Sequence, residues 1–179
     1  RSTSATGLRI GIVTAFPLAY GLGIPAAGVG TLAAMARNAG TDGALVCPLI
    51  DAKRGEAYAA VYRTGGELPE VVVEPAAIPV AELADMLAGL GEAVTLTGPA
   101  AERFHAMLER PGAPALHIAP PESAMPSAAS VAHMGAHIIA GGGGVSPAAL
   151  TPVYLRRSDA ELVKPKPSPF SMRECRHGE

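Results

Sequence analysis

The chain has 179 residues, 49% of them hydrophobic, a formal net charge of −2 and a pI of about 6.2. That is enough apolar material for one ordinary domain, and the charge balance excludes a chain that gathers phosphate backbones unaided. With 4% aromatic residues and no tryptophan, base-stacking platforms are not expected either.

The first predicted helix covers residues 6–20, with Ser4 and Thr6 as candidate N-cap oxygens. Its apolar run of Leu8, Ile10, Ile12, Val13, Phe16 and Leu18 is too dense for a solvent-facing helix, so packing on a partner or on a further element is expected. Gly21 and Gly23 should end it, and Pro17 removes one backbone donor inside it, so a kink is expected there. Arg9 lies close behind the helix start, where positive charge opposes the dipole, and a salt bridge to a carboxylate is the expected reason. After Ile24-Pro25 a short strand over 27–29 leads to Thr31, a candidate cap for a second helix ending at 38–40.

From residue 44 the pattern becomes extended. Segments 44–50, 56–63 and 70–74 read as three strands of an antiparallel meander, joined by the turn at 51–55 and by Thr64-Gly65-Gly66. A helix over 80–87, a strand over 93–96, a helix from Gly98-Pro99 to Glu109, a strand over 116–119 and a helix from Pro126-Ser127 to about Ile139 follow. This alternation predicts an α/β layout with a mixed sheet. Gly141-Gly142-Gly143-Gly144 lacks the Lys-Ser/Thr of a phosphate loop and reads as a hinge. Beyond Asp159, prolines and mixed charges predict an extended tail.

Ile50-Asp51-Ala52-Lys53-Arg54-Gly55-Glu56-Ala57-Tyr58 is the most distinctive stretch. Actin-like folds grip ATP phosphates with glycine-rich strand-turn-strand units. Here Lys53 and Arg54 fill the turn, so a degenerate nucleotide site is expected at Asp51, Lys53, Arg54, Gly55 and Glu56. Asp51 and Glu56 flank cations in a solvated turn and have no means of raising a carboxyl pKa for acid/base work. His133 and His137 share one helix face, but Met134 stands where a zinc protease has Glu and no third ligand is identifiable. No Gly-x-Ser-x-Gly elbow is present, and Cys47, in an apolar strand before Pro48, reads as a core residue. With Cys175 it forms neither a disulfide framework nor a zinc site, and a reducing cytoplasm is the expected setting. The apolar runs break before the roughly 18 residues of a membrane span, and no leader is apparent, so a soluble, untargeted protein is expected.

Thr6-Gly7-Leu8-Arg9-Ile10-Gly11, Ala19-Tyr20-Gly21-Leu22-Gly23-Ile24-Pro25, the 50–58 stretch and Pro152-Val153-Tyr154-Leu155-Arg156 occur in the order and spacing of the TsaB (YeaZ) family. The chain resembles that family over nearly its whole length to Arg157. The resemblance implies an α/β, actin-like or ribonuclease-H-like fold with mixed sheets and an incomplete N-terminal lobe. Residues 1–42 would be the remnant of that lobe with its interface helices, 43–157 the ribonuclease-H-like lobe, and 158–179 the tail. Two departures stand near the start: Arg1-Ser2-Thr3-Ser4-Ala5 replaces the family's Gly-Pro-Gly-Ser-Phe, and Pro17 stands where the family helix continues with Gly.

The resemblance further implies a non-catalytic subunit in the making of threonylcarbamoyladenosine at position 37 of tRNA, paired with a TsaD-type catalytic subunit and joined by a TsaE-type ATPase. ATP and metal would then sit on the partners, and tRNA would be reached only indirectly. The pairing surface carries over to Leu8, Arg9, Ile12, Val13, Phe16 and Tyr20, with a homodimer as the stand-in when the partner is missing. Two alternatives belong to other classes: a glycoprotease-like (M22-type) metallopeptidase using His133 and His137, and a small actin-like ATP-binding domain.

Overall fold

The computed structural model describes residues 5–155. Helices α1 (Ala5–Leu22) and α2 (Thr31–Ala39) precede strands β1 (Leu45–Lys53), β2 (Glu56–Arg63) and β3 (Glu70–Pro79). Then come α3 (Val80–Gly89), β4 (Val94–Thr97), α4 (Ala101–Leu108), β5 (Leu116–Ile118) and α5 (Ala128–Ala140), with single 3-10 turns at Pro121–Ser123 and Pro147–Ala149.

Side chains alternate across a strand, so a strand that is apolar at every position must be covered on both faces. β1 is such a strand. Leu45, Cys47 and Leu49 enter a core shared with Leu83 and Leu87 of α3 and Phe104 and Leu108 of α4, while Val46 enters a second core with Leu32, Met35 and Ala36 of α2 and Tyr62 of β2. β1 is accordingly the middle strand of the order β3-β2-β1-β4-β5. The first three strands form the expected antiparallel meander, and β4 and β5 join parallel to β1 through α3 and α4 as crossovers. This is the ribonuclease-H-like arrangement. On the α2 side, α5 is tied on by Asn38, whose Nδ2 donates to the Met125 carbonyl at 2.8 Å and whose Oδ1 accepts from Ser127 and Ser130. Ser127 also caps α5 by accepting the Ser130 N–H.

Cys47 is fully buried and desolvation pushes its thiol up to about 12, which agrees with a core residue and not with a nucleophile.

Several local expectations are corrected. Thr31 is the first residue of α2 and not its cap; Gly30 holds that place with no side-chain bond, because its extended backbone alone turns the chain into the helix. No strand forms over 27–29. The pairing there is one bridge between Ala26 and Val145, since no second strand runs alongside to extend it. β3 runs on to Pro79 despite Pro75, which a sheet tolerates because β3 is an edge strand and the ladder slips between Ala59 and Val61 opposite that residue. The end of α1 is a Schellman motif: the Ile24 N–H donates to the Ala19 carbonyl, the Gly23 N–H to that of Tyr20, and Gly23 takes φ +63. The tail, Cys175, Arg156 and the candidate cap Ser4 lie outside the described residues.

Candidate functional site

The 50–58 stretch forms a hairpin at the carboxyl ends of the parallel strands β1 and β4, the end where open α/β sheets hold ligands. Asp51 pairs with Ala57 and Lys53 with Glu56, so the register slips by one residue and Ala52 is the extra residue of a bulge. Arg54 (φ 55) and Gly55 (φ 78) make a two-residue connection with both backbones left-handed, the type I′ geometry that suits a twisted hairpin. Lys53 (φ 67) is left-handed as well. For residues with a Cβ this conformation costs about 1 kcal/mol or more each.

Asp51 offsets that strain. Its Oδ1 accepts the Lys53 N–H at 2.8 Å, and its Oδ2 accepts from Lys53 Nζ at 3.1 Å and from Arg103 of α4 at 2.5 Å. The Lys53 amide, then the Lys53 side chain and the charge of Arg103, hold the Asp51 carboxyl below its ordinary value. A carboxylate so placed is ionised at neutral pH and has no proton to give. The Lys53 N–H, one of the turn's donors that a phosphate could use, is engaged by an internal anion. Arg103 was not identifiable from sequence, because nothing local links it to a residue 52 positions earlier.

A depressed carboxyl pKa contributes stability above the unfolded value, near 4, which is lost as pH falls through the lower folded value. Asp51→Asn is therefore expected to be less stable than the parent at neutral pH, with the gap closing below about pH 4. Urea midpoints across that range measure it; a gap independent of pH would contradict the assignment.

The second predicted surface is α1. Of its residues 7–22 only Ile12 and Ala19, seven apart and so on one face, are half-buried. Leu8, Arg9, Val13, Phe16 and Tyr20 are exposed, with Val13 and Tyr20 at 70% and 69%. The Phe16 and Tyr20 rings stack with centroids 5.8 Å apart. Among the described residues Arg9 meets a phenol rather than the expected carboxylate: its Nε donates to the Tyr154 hydroxyl at 2.9 Å and the guanidinium lies 5.7 Å from the centre of the Tyr154 ring. Tyr154 is half-exposed, and the adjacent Leu155 packs against the α2-side core.

His133 meets Glu67 of the β2–β3 loop, where Arg37 of α2 also converges on the Glu67 carboxylate. The His133 contact, ahead of the charges of Arg37 and His137, holds the Glu67 carboxyl below its ordinary value. His137 does not complete a ligand set. Among the described residues no group of three His, Cys, Asp or Glu side chains could hold a metal ion.

Residues 4–119 match the TsaD family, described as tRNA N6-adenosine threonylcarbamoyltransferase. The chain is also 37% identical over 84 residues to the tRNA threonylcarbamoyladenosine biosynthesis protein TsaB of Bacillus subtilis (strain 168). It belongs to the TsaB (YeaZ) family of TsaD-related proteins. The aligned part is 47% of this chain and 37% of the Bacillus TsaB, so the match spans little more than a third of that relative. YeaZ from Pseudomonas aeruginosa superimposes with a TM-score of 0.67 at 25% identity, over 87% of this chain and 70% of that one. A second structure, of an uncharacterized protein with similarity to peptidase YEAZ from Pseudomonas aeruginosa, superimposes over the same shares with a TM-score of 0.66 at 24% identity. The ribonuclease-H-like sheet is thus that of the TsaB (YeaZ) structures. No helix among the described residues is long and apolar enough to cross a membrane.

Proposed function

We propose that this chain is a non-catalytic partner subunit in the biosynthesis of tRNA threonylcarbamoyladenosine, acting in the cytoplasm and supporting a TsaD-type catalytic subunit through α1. The observation that carries this reading is the apolar, almost wholly exposed α1, a helix that an isolated soluble domain would bury. The engaged carboxylate of Asp51 supports the non-catalytic part: it is held ionised and already accepts the Lys53 N–H. ATP and metal then belong to the TsaD-type and TsaE-type partners, and tRNA is reached through them. In their absence α1 covers itself in a homodimer.

Co-expression with the TsaD-type and TsaE-type proteins, followed by size exclusion and a tRNA-modification assay with and without this chain, tests the reading. Val13→Asp is the informative variant. Val13 is exposed, so the free chain keeps its fold, whereas a charge buried in an interface weakens pairing by about 2 kcal/mol, roughly thirtyfold. Ile12→Asp should also abolish pairing, but Ile12 is half-buried, so this variant loosens α1 from its own body too. Unchanged co-purification of Val13→Asp, or substrate turnover by the chain alone, would overturn the proposal.

A further inference from the structure

α5 buries one residue, Met134, so polar ties carry much of its docking. Asn38 of α2 holds its amino-terminal end through Met125, Ser127 and Ser130. Further along the helix, His133 Nε2 meets the Glu67 carboxylate. Arg37 of α2 places Glu67 for that contact: it donates to the Gly66 carbonyl at 3.3 Å and to the Glu67 carbonyl, and stands 3.7 Å from the Glu67 carboxylate. A guanidinium keeps its proton in proteins, so Arg37 holds the β2–β3 loop to α2 without regard to pH. The tie from that loop to α5 ends on an imidazole, the side chain whose charge changes nearest neutrality.

We propose that the His133–Glu67 pair is a pH-dependent clasp for α5, tightest on the acid side of neutrality and weakened as the imidazole loses its charge. An imidazole ordinarily takes up its second ring proton at about pH 6.5. Below that value the pair is a cation on an anion, joined by a charge-assisted hydrogen bond; above it, a neutral ring still donates from Nε2 but brings no charge. On the acid side the limit is Glu67 itself, whose carboxyl the His133 contact, ahead of the charges of Arg37 and His137, holds below its ordinary value. The clasp is therefore strongest between the two titrations and is lost as pH falls through that lowered carboxyl value. The charged and titratable groups that meet at this carboxylate are His133 and His137 of α5 and Arg37 of α2. Arg37 keeps its charge across the window, and His137 acts on Glu67 through charge alone, so His133 supplies most of the change. Both clasp side chains are half-exposed, which limits the charge-dependent part to roughly a two- to fivefold change in the opening equilibrium of α5.

The test needs no partner protein, so it stands or falls apart from the functional reading above. Amide hydrogen exchange of the full chain, corrected for the intrinsic pH dependence of exchange, reads the protection of α5. Glu67→Gln is the reference, since it removes the anion at an exposed loop position and leaves the core untouched. The ratio of α5 protection in the unaltered chain to that in Glu67→Gln is expected to be roughly two- to fivefold larger at about pH 5.5 than at about pH 8. With His133→Gln the same ratio should not change with pH. His133→Lys, whose charge persists across this range, should hold α5 equally at both ends, and His137→Gln should keep most of the effect. All three positions in these variants are exposed, so the fold persists. A ratio for the unaltered chain that is flat with pH would mean that the neutral imidazole grips Glu67 as well as the charged one, and would overturn the clasp. A pH dependence of unaltered size in His133→Gln would overturn it too.

Discussion

Alanine at position 98 is expected to destabilise the protein by about 3 kcal/mol, a fall in Tm of about 6–12 °C for a chain of this size. Gly98 follows β4 with φ +103, a backbone conformation that strains any residue with a Cβ. An added Cβ would also run into the Leu49 carbonyl oxygen, stand 3.0 Å from the Leu49 nitrogen and 2.6 Å from the terminal carbon of Met35. Leu49 is a fully buried residue of the middle strand, paired with Ala59 of β2, so its backbone has little room to yield. The same Leu49 carbonyl accepts the Ala100 N–H at 3.3 Å, the bond that sets the start of α4. Displacing it moves Arg103 away from Asp51, so Gly98→Ala should also raise the Asp51 carboxyl pKa toward its ordinary value. Thermal unfolding and a carboxyl-resolved NMR titration read the two effects. A variant with unchanged Tm and unchanged Asp51 titration would show that the turn has slack which the packing around it does not suggest.

The meander and the two crossover helices were legible in the sequence because each rests on local chemistry, whereas the turn expected over 51–55 shrinks to two residues because β1 runs on to Lys53. β1 and β2 announce themselves by apolar residues on both faces, α5 by Ser127, and the hairpin by the charged, glycine-ended break between them. The candidate site was legible only in half. Asp51, Lys53 and Gly55 could be named from one stretch, but the partners that decide what the residues do arrive from elsewhere in the chain. Arg103 reaches Asp51 across 52 residues, Glu67 reaches His133 across 66, and Tyr154 reaches Arg9 across 145. No periodicity encodes such pairs, since they follow from sheet order and helix placement. For the same reason a carboxylate was the natural expectation for Arg9, and a phenol is what the fold brings to it.

Met35→Ala is the second large effect, at about 2–4 kcal/mol. Met35 is fully buried on the inner face of α2, where it helps close the core over β1 and β2, and truncating it leaves a cavity that the paired strands cannot collapse to fill. Its terminal carbon is also one of the atoms that a Cβ at position 98 would meet, which makes the pair a test of how that contact acts. In the double variant Met35→Ala, Gly98→Ala the new methyl gains the space the thioether vacates, but the clash with the Leu49 carbonyl and the strain at φ +103 remain. The double variant should thus be less stable than Gly98→Ala alone, yet more stable than simple addition predicts by about 1 kcal/mol. Urea unfolding of all four proteins closes the cycle. Strict additivity would mean that Met35 moves aside freely and does not confine position 98. Full recovery to the level of Met35→Ala would mean that the Leu49 backbone gives way, and with it the reason for glycine at the head of α4.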